Sequence, residues 1–359
     1  MNIVPKLLHK QKQFIGGAML DDLKYIHQRD KGDALGVAEK QWQQLQYDYK
    51  IEFRPKQTIQ NVVIAGMGGS ALAATYVSTW PTVDVPFEIV RDYDIPSYIN
   101  ESTLFVASSY SGNTEETLNA INKAEQKNAE IVVISSGGKL AELANQKGYP
   151  LYKLPSDLQP RMAVFYNFAV LVRILVAANL VDAQKIEEIN ASGEFLKPKV
   201  VTWRPDIATD KNIAKQIALE LVGKSPVIYA SPKMFPVAYK WKINMNENAK
   251  NIAWCNQLPE FNHNEFLGWS SHPLDKPYKP VFLQSNFDSP QITKRFDVSK
   301  KLLSGRMPEP ITVVAEGKTL LEQMVWTIAL GDFVSLYLAL LNNLDPTPVD
   351  LIEKLKKEL

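Results

Sequence analysis

The chain contains very little cysteine and no excess of either charge. Cys255 is the only cysteine among 359 residues, so we expect no intrachain disulfide and no thiolate metal site, which favours a reducing compartment. Forty basic residues balance thirty-nine acidic ones, so no overall field attracts nucleic acid or an anionic membrane. These two features favour a cytoplasmic protein that acts on a small molecule.

Long hydrophobic runs are also missing. No segment approaches the roughly 18 consecutive apolar residues of a membrane span, since Gly331 and Asp332 interrupt the apolar stretch from Thr327 to Leu341. The first residues lack the short apolar core of a secretory signal peptide. We therefore expect neither secretion nor membrane insertion.

The chain changes character near residue 60. Residues 1–55 are polar with spaced apolar positions, which predicts a helical segment that packs on later structure. Short apolar segments then alternate with helical ones, a pattern that predicts a doubly wound parallel sheet of about five strands flanked by helices. The predicted strands of this sheet are Val62–Ala65, Phe87–Val90, Thr103–Ala107, Glu130–Ser135 and Leu151–Leu154.

The second half shows the same alternation of strands and helices, but its hydrophobic pattern is weaker. Its predicted strands are Pro226–Ala230, Lys279–Leu283 and Ile311–Val314, followed by a helix over Leu320–Leu341. A further helix is predicted over Gln159–Val181, at the end of the first half. The predicted organisation is a helical segment over 1–55, a first α/β domain over 56–195 and a second over 196–359 with a C-terminal helix.

The most informative stretch joins a buried strand to a polar helix. Ser109, Ser111 and Thr114 lie in this turn, and each side chain has a hydroxyl that can bind a phosphate oxygen. The N-terminus of the following helix adds backbone N–H groups and a positive dipole end. The turn has no lysine, so it is not a Walker A loop. A simple helix cap is the structural alternative, but it requires only one hydroxyl.

A second turn, residues 66–71 (GMGGSA), follows the preceding strand. It matches G-x-G-x-x-A, which alone suggests a dinucleotide site with Asp92 as the residue that binds the ribose. A dinucleotide does not require three hydroxyl residues on the neighbouring strand end. One sugar phosphate bound between both turns is therefore the favoured interpretation.

Together these turns resemble the sugar isomerase (SIS) domain, and more narrowly the bifunctional phosphoglucose/phosphomannose isomerases. The same resemblance extends over residues 160–163 (PRMA), 246–250 (NENAK), 260–269 (EFNHNEFLGW) and the tail from Asp345 to Lys356. It runs in the family's order from about residue 60 to the C-terminus. It implies two SIS-type doubly wound parallel-sheet domains, five-stranded and flanked by helices.

The resemblance also implies an activity and assigns residues to it. The implied reaction interconverts glucose 6-phosphate and mannose 6-phosphate with fructose 6-phosphate through a cis-enediol(ate), without a metal or other cofactor. Glu247 matches the base that moves a proton between C1 and C2, and Arg161 the residue that stabilises the enediolate. His263 matches the ring-opening histidine, which in this family reaches the active site of the other subunit of a homodimer.

The remaining family positions concern binding of the substrate. Phosphate contacts fall on Ser109, Ser111 and Thr114, with Gly69 and Ser70 lining the floor of the site.

Two further positions lie near the C-terminus. Thr347 matches a threonine associated with accepting the C2 epimer. Lys356 matches a lysine of the last helix near the sugar ring, although Lys354 and Lys357 are close enough in sequence to compete for this role.

The stretch that contains His263 also invites a metal-site interpretation. His263 and His272 occur near Glu260 and Glu265, but these residues lack the i, i+4 helical spacing of common zinc motifs. We therefore predict no metal ligands.

Two other functions stay open at this stage. A sugar-phosphate-binding regulator needs the hydroxyl turn but not the three catalytic positions, and it usually carries a DNA-binding segment, which residues 1–55 do not indicate. An isomerase or synthase of amino-sugar phosphates uses neighbouring chemistry. No N-terminal cysteine is present for glutamine hydrolysis, which disfavours a complete amidotransferase.

Overall fold

The computed structural model describes residues 16–271 and 276–358, apart from the side chain of Lys357. The described chain forms two compact units. The first unit is Gln41–Glu194, and the second consists of the described residues up to Lys40 and from Phe195 onward. The predicted segment 1–55 is thus divided between the units, and its residues 1–15 lie outside the described part. The predicted domain boundaries stay a prediction.

The first unit is built on a five-stranded parallel sheet, as predicted. Its strands are β1 (Asn61–Ala65), β2 (Phe87–Val90), β3 (Thr103–Ser108), β4 (Glu130–Ser135) and β5 (Leu151–Lys153). The strand order is β2-β1-β3-β4-β5. The order therefore reverses between β1 and β3, and the carboxyl ends of these two strands form the switch point where ligands bind in such sheets.

Helices cover both faces of this sheet, which explains why β1, β3 and β4 are almost wholly apolar and buried. The helices are α4 (Trp42–Leu45), α5 (Gly68–Val77), α6 (Glu115–Gln126), α7 (Gly138–Lys147), α8 (Val164–Ala177) and α9 (Gln184–Val201). The chain passes from the first unit to the second within α9. One core cluster contains Val63, Phe105 and Val133 from the strands with Ile121 and Leu140 from the helices.

The second unit contains a four-stranded parallel sheet within the described residues. Its strands are β6 (Ser225–Ala230), β7 (Trp254–Gln257), β8 (Tyr278–Gln284) and β9 (Ile311–Val314), in the order β7-β6-β8-β9. The sheet is parallel as predicted, but the expected count of five strands is wrong for the described chain. The sequence analysis also missed β7, because this edge strand is short and polar (WCNQ).

The helices of the second unit come from both ends of the chain. They are α1 (residues 16–21), α2 (Leu23–Arg29), α3 (Ala34–Lys40), α10 (Ile213–Leu221), α11 (Phe235–Glu247), α12 (Glu265–Gly268), α13 (Pro290–Leu302), α14 (Leu320–Leu341) and α15 (Asp350–Glu358).

Helix α14 is the centre of this unit. It begins with a capping box in which Thr319 and Glu322 exchange side-chain and backbone hydrogen bonds. Among the described helices it is the one that is long and apolar enough to cross a membrane by length and composition, but 94% of its most apolar window is buried within the protein. This burial is typical of the core helix of a globular domain.

The predicted helix over Gln159–Val181 is wrong at both ends. Residues Pro160–Met162 form a short 3₁₀ helix, and α8 begins only at Val164. The helix ends at Ala177, shortly before Asn179 adopts a positive φ of 59°. The difference matters because it places Arg161 in a tight turn before the helix and not on its face.

Candidate active site

The hydroxyl turn follows β3 and leads into α6. Thr114 is the N-cap residue of α6, but its side chain makes no capping hydrogen bond. Its Oγ1 instead lies 2.8 Å from Ser109 Oγ, and Ser109 Oγ accepts the Gly112 N–H at 3.1 Å. The hydroxyl groups therefore organise one another, and the capping alternative does not describe this turn.

Backbone N–H groups point out of the same turn. The N–H of Leu118 donates to the carbonyl of Thr114, the N-cap residue, at 3.0 Å. This is the first hydrogen bond of the helical i→i−4 pattern in α6. The N–H groups of residues 115–117 precede it and lie at the positive end of the helix dipole. Ser111 is exposed and Thr114 is half-buried, whereas Ser109 is only 1% exposed. The turn thus presents two accessible hydroxyls and a helix N-terminus, which suits a phosphate dianion.

Glycines allow the turns after β3 and β4 to pack against each other. Gly112 and Gly138 have positive φ angles of 71° and 69°. A side chain at Gly112 would overlap the carbonyl of Gly137, and one at Gly138 would overlap the carbonyl of Ser111. The Leu140 N–H donates to the Gly112 carbonyl at 2.9 Å. The sequence analysis missed this second support of the hydroxyl turn, although a Gly-Gly pair directly after a strand is a turn signal.

The glycine turn after β1 is joined to the hydroxyl turn by hydrogen bonds. Ser70 Oγ accepts the Tyr110 N–H at 2.9 Å. The carbonyl of Ser70 accepts hydrogen bonds from Ser108 Oγ at 3.2 Å and from Asn167 Nδ2 at 3.0 Å. The two turns therefore lie side by side at the switch point. The crevice between Met67 and Asp92 has an empty volume of only about 120 Å³, below the roughly 300–1,000 Å³ of small-molecule sites, which disfavours the dinucleotide interpretation.

Arg161 is held close to the glycine turn. A Cβ added to Gly69 would come within 2.8 Å of the carbonyl carbon of Pro160 and 3.0 Å of the Arg161 nitrogen, so only glycine permits this approach. The Arg161 side chain is 2% exposed, and its Nη1 donates to Gln159 Oε1 at 3.3 Å. The first unit therefore brings together Arg161, Gly69 and the hydroxyl turn.

Tyr110 is a positioning residue that the sequence analysis missed. Its hydroxyl donates to the carbonyl of Pro155 at 2.7 Å and accepts the Leu158 N–H at 3.1 Å. These bonds tie the hydroxyl turn to the segment that leads to Arg161. A tyrosine inside a turn of small residues was the available signal, since a buried phenol needs hydrogen-bond partners.

In the second unit, Glu247 is the last residue of α11 and is half-buried. The residues on either side of it are fixed. Asn246 Nδ2 donates to the carbonyl of Lys242 at 2.8 Å, and Asn248 Nδ2 donates to Ser335 Oγ at 2.9 Å. The carboxylate thus projects from a helix end whose neighbours are bonded to the protein interior.

A buried ion pair holds α11 against α14. Lys240 and Asp332 are 1% and 0% exposed, and Lys240 Nζ lies 2.5 Å from Asp332 Oδ1. Asn244 accepts a hydrogen bond from Lys240 at 2.7 Å and donates one to Asp332. Gly331 lies against the ring of Trp241, with no room for a side chain. Asp332, which interrupts the apolar run of α14, therefore binds two residues of α11, the helix that carries Glu247.

The tail near Thr347 is attached to the segment that directly follows Glu247. Lys250 Nζ donates to the carbonyls of Asp345 at 2.9 Å and Pro346 at 3.0 Å. Thr347 packs against Gly32, where an added Cβ would lie 2.6 Å from Thr347 Oγ1. The second unit therefore connects the candidate specificity residue to the segment that follows the candidate base.

His263 lies at the end of a short 3₁₀ helix, Glu260–His263, and its side chain is exposed. It forms no hydrogen bond or ion pair with any residue that the structure describes. Glu265, one of the alternative metal ligands, accepts hydrogen bonds from Tyr229 at 2.8 Å and Asn256 at 2.5 Å. Among the described residues no group of three or more potential ligands is placed to hold a metal ion, and His272 lies outside them.

Lys356 lies on α15 and is exposed. Its Nζ is 3.2 Å from Glu353 Oε1, and both side chains are more than half exposed. Lys354 is exposed on the same helix. Nothing in the second unit distinguishes one lysine of this helix as a substrate contact, so this assignment stays a prediction.

Comparison with known proteins identifies the family. A model described as the bacterial phospho-glucose isomerase C-terminal SIS domain matches residues 210–359, and a SIS domain model matches residues 58–167. A bifunctional phosphoglucose/phosphomannose isomerase from Caldicellulosiruptor bescii is 38% identical over 308 residues, which are 84% of this chain and 90% of that protein. The chain belongs to this family.

The resemblance to the phosphoglucose/phosphomannose isomerases that the sequence predicted is therefore confirmed. A further relative, a D-glucosamine-6-phosphate 4-epimerase from Sulfolobus acidocaldarius, is 35% identical over 64% of this chain and 70% of that protein. Among solved structures, a glucose-6-phosphate isomerase-like protein from Thermus thermophilus superposes with a TM-score of 0.64 at 17% identity, covering 94% of this chain and 98% of that chain. The SIS fold is shared with that structure, and the roles of individual residues stay predictions.

Proposed function

We propose that this sugar-phosphate isomerase interconverts fructose 6-phosphate with both glucose 6-phosphate and mannose 6-phosphate. The observation that carries the proposal is the junction of the two turns with Arg161 at the switch point of the first unit. A candidate phosphate site thereby lies beside a buried cation, on a chain whose relatives are named bifunctional phosphoglucose/phosphomannose isomerases.

The first unit binds the phosphate group and stabilises charge. Ser109, Ser111 and Thr114 with the N-terminus of α6 hold the phosphate over a floor formed by Gly69 and Ser70. Arg161 faces the sugar end and stabilises the negative enediolate oxygen. Because its guanidinium is withdrawn from water, its charge acts in a low dielectric and is not screened as an exposed charge would be.

The second unit supplies the proton transfer. From aldose to ketose, Glu247 removes the proton from C2 and returns it to C1, while the proton on O2 is transferred to O1. Glucose 6-phosphate and mannose 6-phosphate differ only at C2 and share the same cis-enediol(ate). The face of C2 that receives the proton therefore decides which sugar forms. In this proposal, Thr347 is the residue that allows the site to bind both C2 epimers.

Lys356 is a further contact to the sugar ring in this proposal. It would have to leave its exposed ion pair with Glu353, which costs little because such surface pairs contribute about 0–1 kcal/mol. The matched variants Lys354→Met, Lys356→Met and Lys357→Met distinguish the three candidate lysines. We expect only Lys356→Met to raise KM for fructose 6-phosphate.

We also propose a homodimer in which His263 opens the sugar ring in the active site of the partner subunit. The exposed position of His263 supports this. So do three exposed apolar side chains of the same unit: Ile252 just before edge strand β7, Trp254 at its start and Leu267 on α12 are 60%, 48% and 74% exposed. A two-fold interface would remove this apolar surface from water.

Mixed dimers test the shared site. If one subunit carries Glu247→Gln and the other His263→Ala, one active site has both changes and the other has neither. Random mixing makes about half the dimers mixed, so about a quarter of the parent activity returns while each variant alone stays near zero. Two affinity tags confirm that mixed dimers have formed. If these mixed dimers recover no activity, His263 acts in the site of its own subunit or in no site.

A cytoplasmic location is proposed from the single cysteine. Burial raises the pKa of the Cys255 thiol to about 11, so this residue remains a protonated thiol near neutral pH and is poorly suited to disulfide exchange. A chain that uses no disulfide suits a reducing compartment. Cell fractionation with a tagged full-length chain tests the location.

One assay tests the reaction itself. Purified protein is incubated with fructose 6-phosphate, and glucose 6-phosphate and mannose 6-phosphate are scored separately. Formation of both products is the expected result. Formation of only one would restrict the proposal to a monofunctional isomerase, and formation of neither would contradict it.

The amino-sugar relative favours a second candidate function, an activity on glucosamine 6-phosphate. That relative is named an epimerase of this compound and matches nearly two thirds of the chain. Incubation with glucosamine 6-phosphate, in which loss of this substrate and formation of its C4 epimer are followed by NMR spectroscopy, separates the two candidates. Turnover of the amino sugar at a higher kcat/KM than fructose 6-phosphate would make it the principal substrate.

A further inference from the structure

A second pocket lies in the first unit, among elements that the proposed mechanism does not use. It encloses about 470 Å³, which is within the range of roughly 300–1,000 Å³ for small-molecule sites. We call it the Arg173 pocket. It is lined by Asp48, Tyr49, Ile51, Arg54, Arg173, Val176, Ala177, Asn179, Ile186 and Asn190. These residues come from the segment after α4, the C-terminal end of α8 and the start of α9.

Arg173 is a buried cation in this pocket. It is 5% exposed, and no carboxylate of the described residues forms a direct ion pair with it, although Asp48 is a nearby opposite charge. Nη1 donates to the carbonyl of Ala169 at 3.0 Å and Nη2 donates to Asn190 Oδ1 at 3.4 Å. A guanidinium has five N–H donors, so three remain without an acceptor in the described chain. Buried charges in proteins are normally paired.

Tyr49 supplies a second buried donor on the same wall. Its side chain is 9% exposed, and its hydroxyl has no hydrogen-bond partner in the described chain. Burial raises the pKa of this phenol, so the hydroxyl keeps its proton and can donate it. A buried guanidinium with donors to spare and a buried hydroxyl without a partner therefore line one cavity, and few buried polar groups in proteins lack partners.

The charge of the lining sets the class of ligand. Arg54 and Arg173 carry two positive charges, and Asp48 carries one negative charge that also lies at the exposed rim. The planar fork of arginine matches the oxygen atoms of a carboxylate or phosphate. Ile51, Val176 and Ile186 give the remaining wall an apolar character, and a bare inorganic anion would fill only a small part of the volume.

We propose that the Arg173 pocket binds a small organic oxyanion, whose carboxylate or phosphate group is held by Arg173 and the Tyr49 hydroxyl and whose body lies on the apolar wall. This site is separate from the hydroxyl turn. It does not depend on the proposed reaction, because its residues take no part in that reaction.

Calorimetric titration of the full-length protein tests the site. The probes are phosphoenolpyruvate and citrate as organic oxyanions, inorganic phosphate as the small anion and glycerol as the neutral compound. Each titration is repeated on Ser111→Ala, which changes the hydroxyl turn and not the Arg173 pocket. We expect at least one organic oxyanion to bind with a Kd below about 1 mM, more tightly than inorganic phosphate, and Ser111→Ala to leave this binding unchanged.

Matched tyrosine variants assign the binding to the pocket. Tyr49→Phe removes only a hydroxyl that has no partner in the described chain, so the fold loses no hydrogen bond and isomerase activity stays at the parent level. It should weaken oxyanion binding about tenfold, since hydrogen bonds to charged groups contribute about 1.5–3 kcal/mol. Tyr47→Phe is the control, because Tyr47 is 43% exposed and does not line the pocket. Arg173→Lys keeps the charge without the planar fork and should also weaken binding.

Three results would overturn the proposal. They are the lack of organic-oxyanion binding up to about 10 mM, loss of this binding in Ser111→Ala, and equal affinity of the parent and Tyr49→Phe proteins. If Arg173→Lys does not fold, the Tyr49→Phe result decides alone.

Discussion

In the first unit the candidate phosphate site is formed by backbone groups and short side chains of adjoining turns, whereas in the second unit the candidate base stands at the end of a helix that a buried ion pair fixes. Gly112 and Gly69 matter because no larger residue fits their positions. Glu247 matters for its own carboxylate. In the proposed mechanism, substrate binding would therefore depend on close backbone packing, while the chemistry would depend on single side chains and on the stability of the helices that carry them.

The largest effect is expected at Glu247. Glu247→Gln keeps the size of the side chain but removes the proton acceptor, so kcat should fall by a factor of roughly 10² to 10⁴. Because the hydroxyl turn is untouched, KM should change by less than about threefold. Glu309→Gln is the control, since Glu309 is exposed and pairs only with Lys300 at the surface. A rate near that of the control would assign the base to another residue.

The next effect concerns the support of the base. Asp332→Asn leaves the charge of Lys240 buried without its counter-charge, which should lower the free energy of unfolding by about 3–5 kcal/mol. Urea unfolding followed by tryptophan fluorescence measures this, since Trp241 and Trp326 lie in the same core.

The control for this change is again Glu309→Gln, which breaks an exposed pair and should cost at most about 1 kcal/mol. Replacing both buried partners, as Lys240→Met with Asp332→Leu, should recover part of the loss. Equal effects of Asp332→Asn and the exposed control would mean that the buried pair does not stabilise the second unit.

A smaller effect is expected in the first unit, where binding and not chemistry should suffer. Gly112→Ala places a side chain against the carbonyl of Gly137 and distorts the hydroxyl turn. We expect KM for fructose 6-phosphate to rise about tenfold with a smaller change in kcat. Gly148→Ala is the matched control, because Gly148 has a similar φ of 72° but open space around it. A parallel rise in KM for both variants would attribute the effect to backbone strain alone.

The smallest expected effect is that of metal removal. The predicted mechanism uses no metal, and the described side chains around His263 form no group of metal ligands, so overnight treatment with EDTA should leave the isomerase rate unchanged. The rate before and after dialysis is the measurement. Loss of activity that zinc restores would contradict the metal-independent mechanism.

Strands and helices with a strong local signal were predicted from the sequence. Strands β2, β4 and β9 and helix α14 have the predicted bounds, because short runs rich in β-branched and aromatic residues indicate strands and one long apolar run indicates a buried helix. Strand β7 and helix α13 were missed. Strand β7 is a polar edge strand, and α13 is polar on most of its surface, so neither shows a clear local pattern.

The candidate site also has one part that the sequence predicts and other parts that it does not. The hydroxyl turn was predicted because its residues are adjacent in sequence and lie at a strand end. The pairing of Lys240 with Asp332 could not be predicted, since the residues are separated by 92 positions and only the fold brings them together. The anchoring of Tyr110 and the packing of Gly137 against Gly112 depend on tertiary contacts for the same reason.

Hydrogen exchange at C2 of the sugar tests the central claim most directly. Glucose 6-phosphate is incubated in heavy water with the parent protein or with Glu247→Gln, and deuterium at C2 is followed by NMR spectroscopy. The account predicts incorporation with the parent and none above background with the variant, while the variant still binds the sugar phosphate with parent-like affinity. Exchange at the parent rate in Glu247→Gln would show that the second unit does not supply the base in the way proposed.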